Sequence, residues 1–165
     1  MSSHLYFAYG SNMLPAQMAV RCPGARAVGA ARLEGWRFHA NTRGSAAIVR
    51  RADAEVHGVV WRCTHAHFHW LDRYEGVHWG NYRRRLVTVE LPDGRCLQAF
   101  VYAGTRTRDG RARVGYMMTA VLPGARAFGL PMAYIRELES WLPNPPIGEK
   151  RIRYTGRKKP VRFPV

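Results

Sequence analysis

The sequence predicts a single α+β domain, and three observations support this. Its 165 residues are enough for one hydrophobic core, and single cores commonly grow to about 100 to 200 residues before a chain splits. Apolar residues make up 47% of the chain and aromatic residues 12%, which indicates a packed interior rather than a disordered chain. Strand-like and helix-like patterns both occur along the sequence.

The N-terminal part of the chain is predicted to be mainly strand. Residues Leu5 to Tyr9 are apolar and aromatic, as in a buried strand, and residues 15–22 predict a short helix with proline in its first turn. Sheet strands are also predicted for 27–41, 46–51 and 57–61, which are rich in aromatic and β-branched residues. Because Gly35 lies within the first of these stretches and Gly44 separates it from the second, we expect two or three strands there and a separate strand after them.

A helix is predicted after Thr64, whose side chain is suited to capping it. The helix ends beside Glu75, at Gly76, which is a typical C-terminal residue. Its histidines are His65, His67 and His69. Two of them share a helical face, but no carboxylate or cysteine joins them at the spacing of a metal site, so we interpret them as an exposed polar face and predict no metal.

The next stretch predicts a β-hairpin followed by short helices. The hairpin consists of 82–91, the turn Pro92-Asp93-Gly94 and 95–102. Asp-Gly between alternating apolar runs is a strong hairpin signal. Because residues 114–127 contain Pro123-Gly124, they predict two short helices rather than one, and residues 132–142 predict a third.

Residues 1–143 are predicted to form the domain, and residues 144–165 a basic, proline-containing extension. This last stretch holds four prolines and seven Lys or Arg against one Glu, which predicts an extended tail. The formal net charge of the whole chain is +15, which favours anionic partners such as acidic small molecules or nucleic acid. Nucleic acid is the weaker alternative because stacking aromatics are sparse in the tail.

The sequence also predicts the cellular setting. No apolar run approaches the roughly 18 residues of a membrane span, and no signal-like segment opens the chain. The three cysteines are odd in number and lack a C-x-x-C pair, which fits a reducing cytosol better than a disulfide framework. We therefore expect a cytoplasmic protein that does not bind membranes, and the sequence predicts no oligomeric state.

The first strand stops abruptly in the turn Tyr-Gly-Ser-Asn. A strand that runs through such a turn into a helix leaves several backbone N–H groups pointing the same way, which suits an anion. Gly10 would allow close approach of the backbone, and Ser11 and Asn12 could cap the helix or bind a ligand. By itself the pattern is also typical of a plain structural turn.

Glu75 is the second feature that suggests chemistry. A glutamate near a helix end is usually a solvated charge, but this one lies in DRYEGVHWGNY, among aromatic residues. Aromatic surroundings exclude water and raise the pKa of a carboxyl group towards the range that suits general acid-base catalysis.

Five sequence blocks, taken in order, resemble the gamma-glutamylcyclotransferase family. They are LYFAYGSNM, RLEGWRF, EVHGVVW, LDRYEGV and GARAFGLPMAYIRELE, which together span about residues 5 to 142. The resemblance implies a mixed, partly closed β-barrel flanked by short helices, with the Tyr-Gly-Ser-Asn loop at its mouth. It also implies an enzyme, a cyclising acyltransferase that acts on small γ-glutamyl substrates without a cofactor.

The resemblance assigns roles to individual residues by matching positions. It implies that Glu75 is the catalytic acid-base group. The implied substrate-binding residues are Tyr9, Gly10, Ser11, Asn12, Met13, Asn41, Tyr82 and Tyr116. In such a reaction the substrate's own α-amine attacks its γ-carbonyl and releases 5-oxoproline, so the enzyme needs a proton shuttle and no nucleophile.

Part of the sequence departs from the family, and this leaves alternatives open. The segment from Gly104 to Val114 is rich in arginine where the family varies, so the leaving amine or amino acid is not predicted. A non-catalytic module that binds an acidic small ligand on the same scaffold is the main alternative. A nucleic-acid or acidic-surface binder driven by charge is a third.

Overall fold

The fold is a closed five-stranded β-barrel with short helices around it, as the resemblance predicts. The computed structural model describes residues 3–143, together with the backbone of residues 152–155 and 158–162. The strands are β1 (Ser3–Ala8), β2 (Arg26–Ala40), β3 (Ala46–Thr64), β4 (Tyr82–Glu90) and β5 (Cys96–Gly104), in the barrel order β1-β3-β2-β4-β5. Neighbouring strands are antiparallel except for β1 and β5, which are parallel, so the barrel is mixed.

Short helices follow the strands and cover the barrel. They are α1 (Pro15–Arg21), α2 (His65–Tyr74), α3 (Val114–Tyr116), α4 (Leu122–Ala127) and α5 (Met132–Glu139), with a 3-10 turn at Ser11–Met13 and a π-helical stretch at Met117–Val121. Phe7, Phe38 and Val101 from the strands and Leu71 and Leu138 from the helices are fully buried in a single core. Among the described residues, no helix is long and apolar enough to cross a membrane.

Strands β2 and β3 are longer than the sequence predicts. We expected separate strands at 46–51 and 57–61, but the structure shows that β3 runs through both. The strand β2 is also continuous, because Gly35 adopts a φ of +78° and the pairing with β3 shifts register between Glu34 and Trp36. Between these pairs Gly35 alone lies opposite residues 51–54 of β3, so the extra residues are in β3, and the ladder then resumes.

The predicted break at Pro123-Gly124 is also absent. The chain is helical from Val114 to Ala127, with the π-helical stretch in its middle. Proline is tolerated because it lies in the first turn of α4, immediately after the π-helical stretch. Gly124 packs against the backbone of Leu14, where a β-carbon would lie 2.7 Å from the nitrogen, so α4 can approach the Ser11–Met13 turn closely.

Two local predictions are confirmed, and the exposed face predicted for the histidines of α2 holds for His65 and His69 but not for His67. The strands β4 and β5 form the predicted hairpin, with Gly94 at a φ of +86°. Thr64 caps α2, accepting a hydrogen bond from the backbone of His67. His67 is buried rather than exposed, because its Nδ1 accepts the Thr64 N–H in return and its Nε2 lies 2.9 Å from the carbonyl oxygen of Pro23.

Part of the predicted basic extension lies outside the described residues. Within it, the backbones of β6 (Ile152–Thr155) and β7 (Lys158–Arg162) pair as antiparallel strands, so this part is not the single extended tail that we expected. The boundary between the domain and the extension stays a prediction.

A cluster of charged side chains lies at the seam where β2 meets β4. The two strands are paired there through Arg32 and Glu90, and the Arg32 guanidinium lies 2.6 Å from the Glu90 carboxylate. The same guanidinium lies 3.0 Å from Glu55, which also contacts His57 at 2.8 Å. Burial raises the pKa of Glu55, but His57 and then Arg32 outweigh it, so the pKa lies below its ordinary value.

We expect Arg32→Met to destabilise the protein, because it removes the guanidinium that pairs with the buried Glu55 carboxylate. Breaking a buried ion pair costs about 3 kcal/mol of unfolding free energy. The matched control is Arg51→Met, whose ion pair with Asp53 is exposed and should contribute less than about 1 kcal/mol. Urea denaturation measures both, and equal effects of the two substitutions would show that the seam does not depend on this cluster.

Candidate active site

A cavity of about 170 Å³ lies where β1 and β5 end and β3 and β4 begin. Tyrosines dominate its wall, and six of the eight in the chain take part: Tyr6, Tyr9, Tyr74, Tyr82, Tyr102 and Tyr116. The charged side chains in the wall are Glu75, Arg21 and Arg113. The cavity is therefore polar, with one carboxyl group and two cations around a ring of hydroxyl groups.

The turn that follows β1 forms one side of the cavity. A β-carbon on Gly10 would lie 2.8 Å from the Tyr116 hydroxyl oxygen, so glycine is required there by space rather than by its backbone angle. The Met13 amide donates to the Gly10 carbonyl at 3.1 Å, and the Ser11 amide donates to the Tyr116 hydroxyl at 3.3 Å. Within residues 3–143, the Gly10 and Asn12 amides have no hydrogen-bond acceptor.

Asn12 connects this turn to Glu75. Its side-chain amide donates to Glu75 Oε1 at 3.3 Å and to the Tyr6 hydroxyl at 2.9 Å. Its carbonyl oxygen accepts from Arg21 Nη1 at 2.7 Å. Because Asn12 is 2% exposed, these hydrogen bonds fix both the orientation of its amide and the position of the carboxyl group.

Arg21 is held firmly at the end of α1. Besides its hydrogen bond to Asn12, Nη1 lies 3.4 Å from the Ser11 hydroxyl oxygen. Its guanidinium carbon lies 4.7 Å from the centre of the Tyr74 ring, which adds a cation–π contact. The guanidinium therefore supports the loop and places a positive charge near Glu75.

The structure raises the pKa of Glu75 to about 7. Burial is the main cause, because a carboxylate away from water is disfavoured, and the Arg21 charge limits the rise. Near neutral pH the carboxyl group is thus present in both its protonated and its ionised forms, as proton transfer in both directions requires.

The tyrosine hydroxyl groups are anchored around this carboxyl group. Tyr82 donates to the carbonyl oxygen of Ala46 at 2.7 Å, and Tyr9 donates to the carbonyl oxygen of Tyr102 at 2.5 Å. Burial raises the pKa of Tyr82 and of Tyr116, so both stay neutral near pH 7. They can orient a ligand without adding charge.

Most of the site residues predicted from the sequence come together in this cavity, but two do not line it. Met13 is fully buried beneath the turn. Asn41 is buried behind Tyr82, where its amide lies 3.5 Å from the hydroxyl oxygen and its carbonyl oxygen accepts from the amides of Arg43 and Ser45. Asn41 thus shapes the turn that leads into β3 and contacts the cavity indirectly, through the wall residues Tyr82 and Ser45.

The sequence interpretation missed seven residues of the wall: Tyr6, Arg21, Ser45, Ala46, Tyr74, Tyr102 and Arg113. Arg21 could have been found from helical spacing, since Gln17 and Arg21 are four residues apart on the helix that follows the turn, and both reach Ser11. Among residues 3–143, no three His, Cys, Asp or Glu side chains are grouped as a metal ion would need.

The comparisons with known proteins agree with this geometry. A family model described as "Gamma-glutamyl cyclotransferase, AIG2-like" matches residues 6–118. The chain belongs to this family. The gamma-glutamylcyclotransferases of Bos taurus and Homo sapiens are 33% and 32% identical to it over 152 residues, which cover 86% of this chain and 80% of each relative.

The solved structures give the same result. One solved structure, described as gamma-glutamyl cyclotransferase, matches with a TM-score of 0.80 and 30% sequence identity. The match covers 90% of this chain and 94% of the chain in that structure. Family membership confirms the resemblance and the barrel predicted from the sequence. It also indicates an enzyme of the gamma-glutamyl cyclotransferase kind.

Glu75→Gln should stabilise the protein at high pH. Because the folded-state pKa is about 7 against an ordinary value of 4.5, the folded wild type binds the extra proton between these values and loses stability as the pH rises through them. Above this pH window the substitution should increase the unfolding free energy by as much as about 3 kcal/mol. Below the window it should leave the unfolding free energy almost unchanged. Urea denaturation across this pH range measures the difference.

The control is Glu139→Gln, which removes a carboxylate from an ion pair with Arg126 outside the cavity. Its effect should not increase with pH across the same window. A stability difference for Glu75→Gln that does not vary with pH would contradict the raised pKa.

Proposed function

We propose that the protein is a gamma-glutamylcyclotransferase that converts small γ-glutamyl substrates into 5-oxoproline and a free amine or amino acid, with Glu75 as the general acid-base group. The observation that carries this proposal is a carboxyl group of pKa about 7 beside a turn with available amides. The cavity of about 170 Å³ suits a small ligand, because pockets for drug-sized molecules start at roughly 300 Å³.

The reaction needs one proton carrier. The ionised Glu75 takes a proton from the substrate α-ammonium, and the freed amine attacks the γ-carbonyl carbon of the same glutamyl unit. A new carbon–nitrogen bond closes the five-membered ring, and the original amide bond breaks. Glu75 gives this proton to the departing nitrogen, takes the second proton from the ring nitrogen and passes it to the released amine. The lactam is then neutral, the amine leaves as an ammonium group, and the carboxylate is regenerated.

The turn supplies hydrogen-bond donors for the negative charge. The Gly10 and Asn12 amides are available to the α-carboxylate or to the oxygen that becomes negative during attack. The Ser11 amide lies between these two amides in the turn, and its nitrogen is 3.3 Å from the Tyr116 hydroxyl oxygen. The neutral hydroxyl groups of Tyr82 and Tyr116 would hold the glutamyl unit in the bent form that cyclisation requires.

Arg21 is a positioning residue in this proposal. It holds the Asn12 carbonyl oxygen, and the other end of the same amide donates to Glu75. Its charge also keeps the pKa of Glu75 from rising further, so that part of the enzyme has an ionised base near pH 7.

Glu75→Gln should lower kcat for 5-oxoproline formation by about 10² to 10⁴, because glutamine keeps the shape and the hydrogen bond but cannot carry a proton. A mass-spectrometric assay of 5-oxoproline against γ-glutamyl amino acids and γ-glutamylamines measures this. The control Glu139→Gln should turn over like wild type.

Two results would argue against the proposal. Equal turnover by Glu75→Gln and wild type would remove Glu75 from the mechanism. Binding of γ-glutamyl compounds by wild type with no 5-oxoproline from any donor would instead favour a module that binds an acidic ligand without turnover.

A further inference from the structure

The second cation of the cavity, Arg113, differs from Arg21 in its hydrogen bonding. Arg21 is occupied by hydrogen bonds to Asn12 and Ser11, as described above. The Arg113 side chain is exposed, and among residues 3–143 its hydrogen-bond partner is the Ser45 hydroxyl oxygen, 3.2 Å from Nη2. In the same part of the chain, no carboxylate lies within 4.0 Å of it.

The base of the Arg113 side chain is nevertheless well fixed. Its backbone amide donates to the carbonyl oxygen of Gly44 at 3.1 Å, and a β-carbon on Gly44 would lie 2.6 Å from its Cγ. The guanidinium carbon lies 5.2 Å from the centre of the Tyr116 ring. The structure thus holds a guanidinium group at the opening of the cavity with most of its donors still available.

The geometry of the reaction determines which anion this guanidinium can meet. Cyclisation folds the glutamyl unit back on itself beside Glu75 and the turn, whose amides serve the glutamyl carboxylate or the developing oxyanion. The departing group must project away from the ring that forms, towards the open side of the cavity. A guanidinium fork matches a carboxylate in two-point hydrogen bonding, which an uncharged alkyl group cannot provide.

We infer that Arg113 is a specificity-determining residue that binds the carboxylate of the departing amino acid, so that the enzyme prefers γ-glutamyl amino acids to γ-glutamylamines without a carboxylate. This inference rests on the proposed function, since it concerns the leaving half of the same substrate. It assigns a binding role to Arg113, which belongs to the arginine-rich segment from Gly104 to Val114. The sequence alone assigns no role to this segment.

The test compares two substrates that differ only in this carboxylate, γ-glutamyl-alanine and γ-glutamyl-ethylamine. For Arg113→Gln, KM for γ-glutamyl-alanine should rise about 10-fold to 100-fold with kcat little changed, which is the loss typical of a charge-assisted hydrogen bond. KM for γ-glutamyl-ethylamine should change less than about 3-fold, since only one substrate carries the group that Arg113 binds.

Two further variants complete the comparison. Arg111→Gln removes the same charge from an exposed neighbour outside the cavity wall and should leave both substrates unaffected. Arg113→Lys keeps the charge without the fork and should restore part of the binding of γ-glutamyl-alanine. Equal losses on both substrates, or no loss on either, would overturn the assignment.

The inference can fail separately from the proposed function. If wild type formed no 5-oxoproline from either compound, the proposed function would be wrong, and calorimetric binding of the same two compounds would still test Arg113. Tighter binding of γ-glutamyl-alanine that is lost in Arg113→Gln would support the carboxylate site. Equal affinities for the two compounds would refute it.

Discussion

The contact between Asn12 and Glu75 is the constraint on which the site depends, because it joins two segments far apart in sequence. The barrel produces it through the path of the chain. The strands β1 and β3 are antiparallel, with Ser3 opposite Thr64, and α2 follows its cap Thr64 and turns back beside them. Six strand residues span about 20 Å and ten helical residues about 15 Å, so both segments end on the same side.

Burial of the Glu75 carboxyl group has two opposing electrostatic consequences. The acid-base role proposed for Glu75 needs a carboxyl group that water does not fully stabilise, and burial of Glu75 provides it at a cost in stability. The fold limits this cost with the Asn12 amide, which donates to the carboxyl group, and with the Arg21 guanidinium, which binds the carbonyl oxygen of the same amide. The high net charge of the chain is therefore less informative than the position of the two arginines in the cavity wall.

Local chemistry explains which parts could be predicted from the sequence. The Asp93-Gly94 hairpin turn, the Thr64 cap and the need for glycine at position 10 depend on neighbouring residues or on one close approach, so their signals are short. The continuity of β3 depends on pairing with β2 on both sides of the irregularity opposite Gly35, and this pairing is not visible in either stretch alone.

Long-range packing explains which parts of the site could not be predicted from the sequence. The place of Arg21 in the wall is set by contacts with Asn12 and Ser11, and its one local signal is the four-residue spacing from Gln17 on the helix after the turn. Asn41 has the right residue type, but the turn it stabilises places Tyr82 between it and the cavity. Residue type alone therefore suggests a binding role that the packing does not support directly.

The most direct test of this account is the pH dependence of kcat/KM for 5-oxoproline formation by the wild-type enzyme, because this profile reports ionisations of the free enzyme. The account predicts a rate that rises about tenfold per pH unit and levels off near the pKa of about 7 assigned to Glu75. A profile that is flat through neutral pH, or that levels off near the ordinary carboxyl value of 4.5, would contradict it.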